Sequence, residues 1–345
     1  MRWSSSAALA LTASGAHALL RFSCSQLVVE RLDPLVNPGI APSPHLHQIV
    51  GGNAFNTTMD PLKPPPSQAT CTTCTFVDDF SNYWTAVLYF RARNGSYHRV
   101  PQKPNVGFEQ ANGGMTIYYI PYTGRTKSSV TAFKPGFRML IGRQDYRTRE
   151  EASRFRQLTY TCLQNPMTRT GETLDFPKQP CPAGIMANVR FPTCWDGKNL
   201  DSPDHMSHVA YPETGTFENG GPCPATHPVK IPQLFYEVIW DTTKFNSKDL
   251  WPEDGTSQPF VWSQGDSTGF GNHGDYVFGW KDDALQKAMD SNCDSCPQLK
   301  SQTIAQGNQC RKQVVVHEEV DGWLNAIPGM SPGMEPIVSG LSLRQ

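Results

Sequence analysis

Val229-Lys-Ile-Pro-Gln-Leu-Phe-Tyr-Glu-Val-Ile-Trp240 is the longest apolar run after the first residues of the chain, and its reading sets the fold. Its β-branched and aromatic residues suit a strand. Pro232 has no N–H for a ladder, so it starts the strand proper or lies at an edge. Beyond it, side chains alternate between two faces. Leu234, Tyr236, Val238 and Trp240 share one face, and Phe235, Glu237, Ile239 and Asp241 share the other.

The same composition recurs outward from this run. Residues 27–32, 83–92, 114–122, 137–142, 158–163, 187–191, 208–211, 260–263 and 275–280 read as further short strands, separated by Gly, Asn and Pro clusters. That rhythm is the signature of a sandwich or barrel. The proline-rich residues 60–67 form a stiff loop. One helix is expected, capped by Asp282, with Ala284, Leu285, Ala288 and Met289 on one stripe. Residues 147–156 read equally as a short helix or a solvated loop, and a second short helix is expected after Cys310. The fold expected is mainly β: a single β-sandwich or jelly-roll-like domain with long loops, one or two short helices and a core over residues 31–328.

Lys plus Arg number 30 and Asp plus Glu 31, a net charge of −1. This balance argues against a nucleic-acid partner, which calls for a basic face. Arg2, the small apolar residues 7–18 and Ala16-His17-Ala18 have the pattern of a secretory leader with a cleavage site. The expected division is therefore a signal peptide over 1–18 and a secreted domain over 19–345. The apolar part of the leader is shorter than the roughly 20 residues that span a bilayer, so no membrane association is expected. The ten cysteines all follow residue 18, and an even count in a secreted chain implies disulfides. Cys71-Thr-Thr-Cys74 and Cys293-Asp-Ser-Cys296 are better read as disulfide staples than as zinc knuckles or redox pairs. Asn56-Thr-Thr and Asn94-Gly-Ser are acceptors for N-glycans, hence expected on the surface.

Histidines and carboxylates cluster beside turns. His45 and His47, two apart on an extended segment, project to one side. Asp201, Asp204, His205 and His208 crowd into Cys194-Trp-Asp-Gly-Lys-Asn-Leu-Asp-Ser-Pro-Asp-His-Met-Ser-His; Glu237 and Asp241 share a strand face; Asp266 and His273 occupy a glycine-rich loop that Asp275 follows; His227 is a fifth candidate. His-x-His can clamp one ion, and nitrogen and oxygen donors favour zinc or copper. His45, His47 and His273 are accordingly the expected metal ligands. Asp204, His205, His208, Glu237, Asp241, Asp266 and Asp275 are the expected catalytic or supporting groups. The competing reading is that these side chains only satisfy loop backbones. Trp195, Tyr211, Trp240, Trp262, Phe270, Tyr276 and Trp280 lie near these clusters and offer stacking surfaces for sugars, or else core packing.

Leu32-Asp-Pro-Leu-Val-Asn-Pro-Gly, His45-Leu-His-Gln-Ile-Val-Gly-Gly, Cys194-Trp-Asp-Gly-Lys-Asn-Leu-Asp-Ser-Pro-Asp-His, Ile231-Pro-Gln-Leu-Phe-Tyr-Glu and His273-Gly-Asp-Tyr-Val-Phe-Gly-Trp resemble the fungal secreted family called domain of unknown function 1996. The resemblance runs over residues 31–328. It implies an extracellular protein that meets polysaccharide, and it transfers no catalytic role. The expectation is a monomeric carbohydrate-active enzyme, with or without metal assistance, acting on plant or fungal wall polysaccharide through a His/Asp-rich site. The alternative is a non-catalytic glycan- or wall-binding protein.

Overall fold

A computed structural model describes residues 19–121, 130–215, 221–254, 257–291 and 296–330. The expected leader, residues 1–18, and Cys293 lie outside the described residues. Two antiparallel sheets dominate. The first runs β1 (Leu20–Cys24), β8 (Met115–Ile120), β16 (Gln233–Trp240), β12 (Ile185–Arg190), β10 (Leu158–Cys162) and β11 (Glu172–Thr173), with β7 (Gln102–Lys103) also on β16. The second runs β2 (Gln26–Glu30), β3 (His47–Gly51), β4 (Asn82–Ala86), β18 (His273–Val277) and β9 (Arg138–Gly142). The chain passes repeatedly from one sheet to the other, as a jelly roll does.

The decisive run behaves as its alternation requires. Residues 231–232 separate β15 (Val229–Lys230) from β16, so Pro232 stands just outside the ladder. Leu234, Tyr236, Val238 and Trp240 are fully buried in the main core. Tyr236 packs on Tyr83 of β4 with ring centroids 5.6 Å apart and donates its hydroxyl to the carbonyl of Asp275 in β18. The two sheets therefore pack face to face through these residues. Gly274 of β18 faces the same interior, where a Cβ would come within 2.7 Å of Val189 Cγ1. Glycine at that position lets the sheets approach.

The outer face of the second sheet is not left to solvent. Leu27, Leu32, Leu35, Phe55 and Met59 form a separate apolar layer over Ile49, Trp84 and Val277. Two smaller sheets complete the strands: β17 (Phe260–Trp262), β5 (Leu88–Arg91), β6 (Tyr97–Arg99) and β19 (Trp323–Leu324); and β14 (Val209–Ala210), β13 (Cys194–Trp195) and β15. The expected strand over 83–92 is thus two, β4 and β5, which enter different sheets.

The helices are short. α2 (Ala284–Ser291) buries Leu285, Ala288 and Met289, as its stripe requires. Asp282 is not its cap: it stands two residues before the helix, in left-handed backbone with φ 50°. Residues 147–156 do contain a helical turn, α1 (Arg149–Ala152), closed by a Thr148–Glu151 capping box. The helix expected after Cys310 instead precedes it, as α3 (Ile304–Gly307), with Thr303 and Gln306 forming a second capping box.

Among the described residues, four disulfides join Cys24–Cys74, Cys71–Cys310, Cys162–Cys181 and Cys194–Cys223. Cys71 and Cys74 thus take separate partners and do not pair with each other. Both sequon asparagines, Asn56 and Asn94, are exposed. No helix among the described residues is long and apolar enough to cross a membrane.

Candidate metal centre

β3 and β18 flank β4 in the second sheet. His47 pairs with Ala86 of β4, while Gly274, next to His273, pairs with Thr85. His47 and His273 therefore project from the outer face on either side of Ala86, whose methyl group leaves the space between them open. His45 lies two residues before His47 and reaches the same point. The three rings have centroid separations of 4.3, 5.2 and 6.0 Å, and each offers a nitrogen within 4.8 Å of the others.

Hydrogen bonds orient the rings. His47 Nδ1–H donates to the Leu32 carbonyl at 2.9 Å, and His273 Nδ1–H donates to the Gly271 carbonyl at 3.0 Å. A carbonyl can only accept, so both rings carry the proton on Nδ1 and present a bare lone pair at Nε2. The Nε2 atoms of His45 and His273 are 3.2 Å apart. Two nitrogens at tetrahedral positions on one zinc stand about 3.3 Å apart, given Zn–N bonds of roughly 2.05 Å.

Without a cation, this contact is a single N–H···N bond donated by His45, and His47 Nε2 and His45 Nδ1 are both left buried without a partner among the described residues. An unpartnered buried polar atom costs about 1–3 kcal/mol. A cation uses all three lone pairs. Burial is the main force pushing the His47 and His273 imidazoles down to about 4. Burial, then the charges of His47 and His273, holds His45 well below its ordinary value. All three rings are neutral near pH 7, the state a metal ligand requires. Cys24, Cys74 and Asp79 also lie close together, but both cysteines are consumed in a disulfide.

A pocket of about 490 Å³ opens over His45 and His273, lined also by Asp33, Arg143, Asp145, Asp204 and His205. The segment over residues 32–35 builds much of it. The Leu32 carbonyl fixes His47, the Asp33 carboxyl enters the pocket, and the Leu35 carbonyl accepts from His205 Nε2 at 3.1 Å. Asp33 Oδ1 accepts from the backbone N–H of Leu35 and of Val36, each at 3.1 Å. Burial pushes the Asp33 carboxyl up, against those two hydrogen bonds.

The other expected residues divide. His205 lines the pocket, but its Nδ1 bonds Asp201 at 2.6 Å and its Nε2 is taken by Leu35, so both nitrogens are occupied. The Asp201 bond is the largest influence raising its pKa. Asp204 also lines the pocket. Burial opposes its ionisation, but the N–H groups of Ser207 and Met206 and the hydroxyls of Ser202 and Ser207 hold it far below the usual carboxylate range. It is a turn-forming anion rather than an acid.

His208 does not join. It is buried against Phe137 and bonds Ser202. Asp266 is buried and accepts from the Thr268 N–H and hydroxyl and from the Gly271 N–H. It therefore fixes the turn whose carbonyl orients His273, a supporting role. Asp275 shares the outward face of β18 but is sealed, both oxygens lacking a hydrogen-bond partner among the described residues; burial keeps its pKa well above the ordinary value.

Glu237 and Asp241 are not brought to this pocket. Glu237 points from the outer face of the opposite sheet, with the sandwich between it and the histidines. There it accepts from Asn105, Tyr118 and Arg169. Asp241 follows the end of β16 and caps a 3-10 turn through Thr243. His227 bonds the Ser207 carbonyl away from the centre. Among the candidate stacking rings, Trp195, Trp240, Trp262, Tyr276 and Trp280 are core residues.

Asp33 escaped notice in the sequence because Asp-Pro reads as a turn, and the Leu32 and Leu35 contributions are carbonyls with no side-chain signature. No curated protein and no solved structure matches the chain. Residues 33–280 match the family described as Domain of unknown function (DUF1996), and the chain belongs to that family.

Proposed function

We propose that this chain is a secreted, carbohydrate-active enzyme with a three-histidine metal centre, acting on wall polysaccharide. The observation that carries the reading is the convergence of His45, His47 and His273, with two rings locked so that their Nε2 lone pairs face one point. Three protein ligands leave a fourth position for water or substrate, the arrangement of catalytic rather than structural zinc. The pocket over His45 and His273 gives that position access. Nitrogen ligands suit zinc and copper alike. Disulfides agree with an oxidising compartment.

Elemental analysis of purified protein, followed by product analysis on a panel of wall polysaccharides, tests the reading. One zinc or copper per chain and release of a modified sugar or side group are expected. No bound metal and no product would overturn it.

The second reading, non-catalytic glycan binding, is favoured by a larger cleft of about 820 Å³ lined by Arg91, Arg93, Asp175, Lys178, Glu253 and Phe270. It offers both charged groups and an aromatic edge to a sugar chain. Glycan binding by metal-stripped protein, measured by calorimetry and lost on Phe270→Ala, would support it.

A further inference from the structure

We propose that Asp33 is the proton acceptor of the three-histidine centre, and that the reaction served is hydrolysis of an acyl ester or amide carried by a glycan. This rests on the metal reading above and adds to it the base and the bond that is broken.

The pocket holds three carboxylates, and their surroundings differ. Asp145 is paired with Arg143 through two hydrogen bonds, at 3.1 and 3.2 Å. Asp204 Oδ1 takes hydrogen bonds from Ser202, Met206 and Ser207. Both are committed anions, and neither can hold a proton for a leaving group. Asp33 is different. Its Oδ1 is anchored by two backbone N–H groups, whereas its Oδ2 accepts no hydrogen bond from the described residues and is not sealed from the pocket. One oxygen fixes the carboxyl and the other is free to act.

This inventory also selects the bond. Hydrolysis of a glycosidic bond uses two carboxyl groups about 5–10 Å apart, one of them able to donate a proton. Only Asp33 qualifies here, and Glu237 lies beyond the other sheet. A metal with one carboxylate base is the equipment for water attack on a carbonyl carbon. Water at the centre gives a proton to Asp33 Oδ2 as its oxygen bonds to the acyl carbon. The bond from that carbon to the leaving oxygen or nitrogen then breaks, and Asp33 returns the proton to the leaving atom. No oxidant or reductant is consumed.

The test uses purified full chain, stripped of metal and reloaded with zinc, with p-nitrophenyl acetate as an acyl ester of known chemistry. The variant is Asp33→Asn, which keeps an Oδ1 acceptor for Leu35 and Val36 and so preserves the turn. Zinc content, thermal midpoint and hydrolysis rate are measured together. Zinc-loaded wild type should exceed the stripped protein, and Asp33→Asn should keep one zinc and the wild-type midpoint while losing about 10²-fold or more of the zinc-dependent rate. A zinc-loaded Asp33→Asn that hydrolyses at the wild-type rate would overturn the proposal, as would zinc-loaded wild type no faster than stripped. Wild type that binds no zinc would overturn the metal reading itself, a distinguishable failure.

Discussion

His45 and His273 are 228 residues apart in sequence, yet their Nε2 atoms face each other at 3.2 Å in the protein interior. A metal bound there joins the loop before β3 to β18. At 100 times its dissociation constant it stabilises the fold by about 2.7 kcal/mol. Zinc should therefore raise the melting temperature of stripped wild-type protein, and His45→Ala, His47→Ala or His273→Ala should each abolish that rise. A rise that survives in all three variants would place the bound zinc elsewhere.

The same histidines give the stripped protein an acid-sensitive core. Burial depresses the folded-state pKa of His47 and of His273 to about 4, against an ordinary value of 6.5. Between these values the unfolded chain binds more protons, so stability falls as pH drops from about 6.5 through 4. The loss approaches about 3 kcal/mol for each ring. Denaturant midpoints of stripped protein at pH 7, 5.5 and 4.5 should fall in that order. His47→Gln should flatten the dependence. Zinc-loaded protein should also release its metal over this range, since protons compete for the same lone pairs.

His205 should behave oppositely. Its pKa is raised, chiefly by the Asp201 hydrogen bond. The stabilisation it provides is complete below pH 6.5 and is lost as pH rises through its elevated folded-state value. Bonded to Asp201 on one side and Leu35 on the other, it latches the loop over 196–208 to the segment carrying Asp33. It also sits in left-handed backbone, with φ 55°. His205→Ala removes both bonds and leaves alanine in a strained conformation, at a cost of about 1–3 kcal/mol. Unfolding titrations at pH 6 should show this loss while zinc stoichiometry remains one per chain. A His205→Ala chain with wild-type stability would refute the latch.

How much of this was legible follows from the range over which each feature acts. Alternation is a property of neighbours, so β16 and its buried face of Leu234, Tyr236, Val238 and Trp240 could be read directly. His45 and His47 were expected together on an extended segment, but the strand begins at His47 and His45 lies in the bend before it, so the loop rather than strand alternation brings the two rings together. Their meeting with His273 depends on the ladder that sets β3 and β18 on either side of Ala86, which no local pattern in the sequence encodes. Glu237 looked equally promising, because a sequence shows which residues share a face but not which side of the sandwich that face meets. The tryptophans and Tyr276 flanking the polar clusters illustrate a related ambiguity, since an aromatic beside a polar turn can point inward. The placement of α3 before Cys310 was recoverable: Thr303 and Gln306 have the three-residue spacing of a capping box.

Glu237 offers the sharpest contrast with the histidines. It is nearly buried, is ion-paired with Arg169 at 2.7 Å, and accepts hydrogen bonds from Asn105 at 2.6 Å and Tyr118 at 2.7 Å. Removing the carboxylate leaves the guanidinium without its anion and two further donors without an acceptor. Breaking a buried pair from one side costs about 3–5 kcal/mol. Glu237→Ala should therefore lower stability by roughly that amount, while Asp241→Ala, which removes only a turn cap, should cost about 1 kcal/mol. Because the sandwich separates Glu237 from the metal centre, Glu237→Ala protein that remains folded in the cold should bind zinc with wild-type affinity. Metal affinity that fell in step with stability would mean that the two faces of the sandwich are coupled. Affinity unchanged on a destabilised fold is the expected result, and it would assign Glu237 to the architecture and the histidines to the chemistry.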